Sequence, residues 1–273
     1  MSNRAIMRAT GIHKVTVARL MNDAGRAFAD YQDAALRGLN TKRVQVDEIW
    51  SFTYTKQQNV PTANAAPEGA GDTWTWTAID ADSKLVMSWM VGGRDGEYAI
   101  AFTDDVAKRL VNRVHLTSDS DQSYLETVEG AFGGDLDCAM WIKLYGATLG
   151  PAGHYSPANF TGIRNTAIEG KPDTKHVSTF YVESQNLTMR MHTRRIMRLT
   201  NGSSKKVENH ANAVALHFAY YNFVRIHKTL RVTPAMVAGV TDRPWEMSDL
   251  VAIVEAAEAP AAKVRGTDKK KPA

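Results

Sequence analysis

A single cysteine, Cys138, in 273 residues excludes an intrachain disulfide and any cysteine-rich zinc site. Long apolar runs are missing too. Stretches such as "LVMSWMVGG" at 85–93 are far too short to cross a bilayer. No secretory leader is legible, so the expected setting is the cytoplasm, with no membrane partner. Internal repeats are absent, which excludes a solenoid. The scarcest feature is local: residues 184–233 carry nine Lys/Arg and one Asp/Glu. Solvated helices normally mix charge signs, so this one-sided segment points to a polyanion.

What is present is ordinary globular material, 44% hydrophobic and 23% charged, enough for one sizeable core and a small appended module. Net charge is only +4, but it is unevenly spread. Residues 1–43 hold eight Lys/Arg against three Asp/Glu, residues 44–183 hold ten against nineteen, and residues 263–273 hold five against one. An acidic centre flanked by basic segments fits a metal pocket beside a nucleic-acid surface. It also fits plain solvated surfaces, so the residues themselves must decide.

Residues 3–24 read as two short helices around a turn at Gly11, with Ile6, Ile12, Val15, Val17 and Leu20 as apolar positions. His13, Lys14, Thr16 and Arg19 fall on the outer side of the second helix. That is a helix-turn-helix pattern, whose second helix enters the major groove of DNA. Residues 25–42 continue as a helical connector. From residue 43 strands take over: 43–54, then 73–80 and 85–92 as an antiparallel meander. An amphipathic helix at 95–110, a strand at 114–117, a helix after 124 and a strand at 138–146 follow. Residues 147–175 read as loop, 175–200 as one long helix, 206–226 as another, and 247–259 as a last short helix. The expected fold class is α/β: a mixed sheet flanked by helices, like ribonuclease H, after a small N-terminal helix-turn-helix segment. The expected divisions are 1–42 for that segment and its connector, 43–237 for the catalytic domain, and 238–273 for a C-terminal helix and basic tail.

"RVQVDEIWSF" at 43–52 is a strand by composition, yet carries Asp47 and Glu48 side by side. Burying an unpaired carboxylate is expensive, so the pair needs a reason. Asp119 ends the strand in "LTSD", and Glu183 lies early in the helix that follows the last strand. Converging carboxylates suit Mg²⁺ or Mn²⁺, and two such ions serve in-line phosphoryl transfer on a phosphodiester. Singly, each acid has a plainer reading as an ion-pair partner, a helix cap or a solvated residue. Asp121 competes with Asp119 for the second position. Alternation along a strand sends Asp47 and Glu48 to opposite faces, which leaves Glu48 without a role. Asn186, Leu187 and Arg190 share the helix face of Glu183, and His192, Arg194, Arg195 and Arg198 extend the basic stretch. The histidines at 210, 217 and 227, Trp74 and Trp76, and Cys138 read as packing residues.

The stretches "VQVDEIWSF", "LTSDSDQSY", "KPDTKHVSTFYVESQNLTMRMHTRR" and "VENHANAVALHFAYYNFVRIHKTLRVTPAM" together resemble bacterial insertion-sequence transposases of the DDE type, in particular the family of insertion sequence one. The resemblance runs from about residue 3 to about residue 255 and is most specific over 175–237. It implies a ribonuclease-H-like domain, with Asp47, Asp119 and Glu183 as the metal-binding catalytic triad. It implies two Mg²⁺ or Mn²⁺ ions, and a homo-oligomer that cleaves element ends and joins them to target DNA. Arg190 matches the basic residue that the wider group has seven positions after its glutamate; Arg194, Arg195 and Arg198, in the basic stretch, are expected as further DNA contacts. The chain departs from the family at Ser120, where Gly is usual, and at Ser184, where Arg is frequent. Family members also have a helix before the helix-turn pair, whereas this chain begins at "MSNRAI", so a shortened or misassigned start, or an element fragment, is expected. Two other functions compete: an idle DNA-binding remnant, and a ribonuclease-H-like nuclease that cuts without joining.

Overall fold

The computed structural model describes residues 2–119, 123–134, 136–146 and 159–258. Its centre is a six-stranded mixed sheet. Strands β1 (Arg43–Thr53), β2 (Gly71–Asp80) and β3 (Val86–Gly92) form the antiparallel meander. Helix α3 (Gly96–Arg109) leads to β4 (Val114–Ser118), which pairs parallel with β1, and α4 (Ser123–Phe132) leads to β5 (Leu136–Gly146), parallel with β4. The sheet order is β3-β2-β1-β4-β5-β6.

The last strand, β6 (Asn159–Glu169), falls where the sequence predicts loop. It pairs antiparallel with β5 and closes the sheet edge. Most of its side chains are exposed, so it buries no face and leaves no alternating apolar signature. The predicted long helix is likewise shorter. Helix α5 covers Phe180–His192, then Thr193 turns extended and a 3₁₀ turn over Arg194–Ile196 follows. Ile196 is fully buried, so the break plugs the turn into the core. Helix α6 (Val207–Ala219) runs into a single π turn, Tyr220–Val224, and α7 (Pro234–Val237) and α8 (Met247–Glu258) complete the chain.

Alternation along β1 splits the core in two. Val44 and Val46 join Trp76, Phe102, Val106 and Leu116 on the α3 face. Ile49, one face over, joins Val182, Met189, Val214 and Phe218 beneath α5 and α6. Trp76, His210, His217 and Cys138 are buried, in keeping with their reading as packing residues. Burial pushes the Cys138 thiol up to about 12, which leaves it inert.

At the amino terminus, α1 (Asn3–Thr10) and α2 (Lys14–Ala35) meet at Gly11, whose φ of 76° is the left-handed conformation glycine adopts freely. The pair encloses no core of its own. Among the five apolar positions only Val17 is buried, and Ile12, Val15 and Leu20 are open to solvent. The second half of α2 instead packs on the body: Phe28 meets Ala219 and Leu250, and Tyr31 meets Phe223 and Trp245. Gln32 donates to the Ala215 carbonyl, and Asn222 donates to and accepts from the backbone of Val86 on edge strand β3.

The α2–α6 crossing is close enough to require Gly25. A Cβ there would stand 2.4 Å from the Asn212 carbonyl oxygen. Gly25→Ala should therefore destabilise the protein by about 1–3 kcal/mol, despite alanine's better helix propensity. Urea unfolding would show a lower midpoint with an unchanged slope; an equal or higher midpoint would mean the helices slide apart at no cost.

Candidate functional site

The site lies where β1 and β4 part. Their parallel pairing ends at Gln45–Thr117, and carrying that register two residues on sets Asp47 level with Asp119. Crevices beyond the carboxyl ends of parallel strands are the usual ligand sites of such sheets. Here a cavity of about 440 Å³ is lined by Asp47, Glu48, Asp119, Lys143, Glu183, Asn186 and Arg190, among others. A larger cavity of about 570 Å³ surrounds Arg43, but that guanidinium is already engaged by Asp82 and His176.

Gln45 docks α5 over this crevice. Its side-chain oxygen accepts from the backbone N–H groups of Tyr181 (2.8 Å) and Val182 (3.2 Å) at the helix start. A strand repeats every two residues, so Asp47 faces the same helix. Asn186, in the second turn of α5, donates from Nδ2 to Asp47 Oδ2 at 2.8 Å. The Asn186 Oδ1 atom is buried and has no hydrogen-bond partner among the described residues. Asp47 Oδ1 accepts from the Glu48 N–H at 2.9 Å.

Asp47, Glu48 and Asp119 each place an oxygen within 4.8 Å of the others. The expected divergence of Asp47 and Glu48 therefore does not extend to their carboxylates. Glu48 is buried and meets Arg94 at 3.3 Å, and it still brings an oxygen within 4.8 Å of the other two acids. Burial pushes the Asp47 carboxyl up to about 7, with Asp119 and then Glu183 adding repulsion, and with the Glu48 N–H and Asn186 opposing.

Glu183 lines the cavity but stands outside that group of three. Lys143 of β5 donates to its Oε2 at 2.6 Å, and Thr179 donates to its Oε1 at 2.5 Å. Arg190 lines the same cavity, with its pKa lowered by burial and by Arg198. The remaining basic candidates scatter. Arg194 and Arg198 are exposed after α5, whereas Arg195 turns inward to the Asn209 carbonyl (3.1 Å) and Ser204 (3.3 Å). His13, Lys14, Thr16 and Arg19 are exposed at the start of α2, where His13 accepts from the Val15 N–H as the helix cap. Asp121 and the basic tail 263–273 lie outside the described residues.

Sequence reasoning missed Glu48, Lys143 and the tie between Asn186 and Asp47. Glu48 carried a signal, the acidic pair, but strand alternation argued it away. Lys143 carried none beyond its place in a strand.

No protein-family model and no curated protein matches this chain. Among solved structures, one match is a piggyBac transposase synaptic complex with hairpin DNA, at 11% identity and a TM-score of 0.31. The match covers 82% of this chain and 55% of that one, so the chain spans about half the length of that transposase. A likeness at this level fixes neither fold nor activity. Among the described residues, no helix is long and apolar enough to cross a membrane.

Proposed function

We propose that this chain is a ribonuclease-H-like DNA transposase of the insertion-sequence type, which cleaves element ends and transfers them to target DNA. The observation that carries the proposal is the meeting of Asp47, Glu48 and Asp119 from two parallel strands in one cavity with Arg190 and Lys143. Acids and bases so placed suit a phosphodiester, which needs its charge offset at the reacting phosphorus and its neighbouring phosphates held.

The donor set fits a hard divalent cation. It is all oxygen, and the partnerless Asn186 Oδ1 beside it is a carbonyl oxygen of the kind such ions accept. Asp47, Glu48 and Asp119 would hold the ion, and Glu183 is the fourth carboxylate available to a second. Bound there, Mg²⁺ or Mn²⁺ would supply charge neutralisation and activation of water or a 3′-hydroxyl. The chain's own groups do the rest. Asn186 fixes the orientation of Asp47, Gln45 fixes α5, and Arg190 presents a guanidinium to a DNA phosphate. His13, Lys14, Thr16 and Arg19, exposed on the first turns of α2, are the proposed DNA-reading residues, with Arg194 and Arg198 as further backbone contacts.

The test is a DNA substrate carrying the inverted repeats that flank the gene, incubated with protein and Mn²⁺. Nicked ends and strand-transfer products are expected, and Asp119→Asn should abolish both. Cutting without joining would mark a nuclease. Salt-dependent binding without cleavage would mark an idle remnant.

A further inference from the structure

Lys143 is the least expected resident of the acid cavity. It projects from β5 with Trp141 and Tyr145, alternate residues that line the same cavity, and its Nζ lies 4.9 Å from the Trp141 ring centre. Its contact with Glu183 is short, and Thr179 takes the other carboxylate oxygen. Glu183, held by these two contacts, stands outside the group formed by Asp47, Glu48 and Asp119. Both members of the ion pair are about one-third exposed, so the pair can open without unpacking the core.

We propose that Lys143 is an exchangeable counter-ion: it holds Glu183 while the cavity is metal-free, and passes to a DNA phosphate once a divalent cation engages the acids. This rests on the catalytic reading above. The physical argument is competition for one carboxylate. A cation drawn to Glu183 repels the ammonium beside it, and the released ammonium lies next to the phosphate that the cation attracts. Lysine suits the exchange, because its point charge rides on a flexible stem with rotatable donors, whereas arginine holds a fixed fork. Lys143 is thus a positioning residue for Glu183 in one state and a phosphate ligand in the other.

The test compares the wild-type chain with Lys143→Met, Lys143→Gln and Lys143→Arg. Mn²⁺ binding to the metal-free protein is followed by calorimetry. Methionine and glutamine should both tighten it, on the order of tenfold, because a like charge has left the site; arginine should leave it near wild type. DNA affinity is then measured against salt, with and without Ca²⁺, which takes similar oxygen ligands. With Ca²⁺ present, Lys143→Met should lower the slope of log affinity against log salt by about 0.9, the loss of one phosphate contact. Without it the slope should not change, because Lys143 is then committed to Glu183. Unaltered Mn²⁺ affinity in the neutral variants, or a slope change that ignores Ca²⁺, overturns the exchange. A wild-type chain that binds no Mn²⁺ sinks the catalytic reading as well, and is recognised before any variant is made.

Discussion

Asp47→Asn should lower metal-dependent DNA cleavage by at least about a thousandfold, the scale expected when a carboxylate that holds a catalytic metal is lost. The same substitution should make the metal-free protein more stable. Asp47 sits in the crevice with its pKa pushed up to about 7, against 3.8 for an ordinary aspartate. An acid raised on folding binds more protons when folded, so its ionisation works against the fold. At pH 8 that cost is up to about 4 kcal/mol, at 1.36 kcal/mol per unit. Asparagine removes the charge and keeps the shape. Its amide can still be satisfied, because Asn186 can turn its unpartnered Oδ1 toward the new N–H donor. Denaturant unfolding in a chelator at pH 8 should therefore show a gain of about 2–4 kcal/mol.

Adding Mn²⁺ should offset most of that gap. A ligand that binds only the folded state stabilises by about 2.7 kcal/mol at one hundred times its dissociation constant. Wild-type protein should gain this, and Asp47→Asn should not. A variant that still cleaves, or still melts later in Mn²⁺, would show that Asp47 is not at the centre of the site. The paired result separates a functional carboxylate from a structural one, since losing a structural ion pair lowers stability in either condition. Such an exchange of stability for function is expected where like charges are gathered for a ligand.

The legibility of this site in the sequence follows distance along the chain. Asp47 stood out because an acid in an apolar strand violates a local rule. Its pairing with Asp119 followed from element order, since a strand after a helical crossover lies parallel to its neighbour. Asn186 and Arg190 were placed on the face of Glu183 by helical spacing alone. What escaped depends on tertiary facts. Glu48 approaches Asp119 just beyond the last β1–β4 ladder pair, Gln45–Thr117, where strand alternation alone does not set the distance between carboxylates. Lys143 meets Glu183 only because β5 and α5 face one crevice. Strand β6 escaped for another reason: an edge strand that buries neither face has no hydrophobic period to read. The basic run after Glu183 looked uniform, yet Arg195 is spent on the Asn209 carbonyl. Charge counts cannot tell an inward arginine from an outward one.

Acid should destabilise this protein chiefly through its two most deeply buried histidines, with Asp47 opposing them. His210 contacts Ser51 Oγ at 3.2 Å, and that hydroxyl also lies 2.9 Å from the Thr73 carbonyl; His217 Nε2 faces the Gln185 amide at 3.2 Å. Burial, with Arg195 adding, pulls His210 down to about 4, and burial, with His192 and Arg225 adding, pulls His217 to about 4. A base lowered on folding binds fewer protons when folded, so stability is present above the ordinary value of 6.5 and is lost as pH falls toward 4. Between pH 7 and pH 5 each histidine should remove about 2 kcal/mol. Asp47 runs the other way: its protonation over the same interval returns about 2 kcal/mol. Carboxylates held low, such as Asp137 beside Arg113 and Asp249 beside Arg243, titrate below this window. His115 and His227, also lowered by burial, add the same acid loss to every variant, so the differences carry the prediction: between pH 7 and pH 5 Asp47→Asn should lose about 2 kcal/mol more than the metal-free wild type. Adding His217→Gln to Asp47→Asn should take back about 2 kcal/mol of that loss, whatever the double variant's stability at pH 7. Equal pH dependence in all three proteins would refute the opposition of the acid crevice to the buried imidazoles. The steeper acid response of Asp47→Asn has a structural meaning. A crevice whose crowded carboxylates would suit a cation also takes up a proton as pH falls, so the Asp47 carboxyl that would serve the metal offsets part of the acid loss from the buried imidazoles.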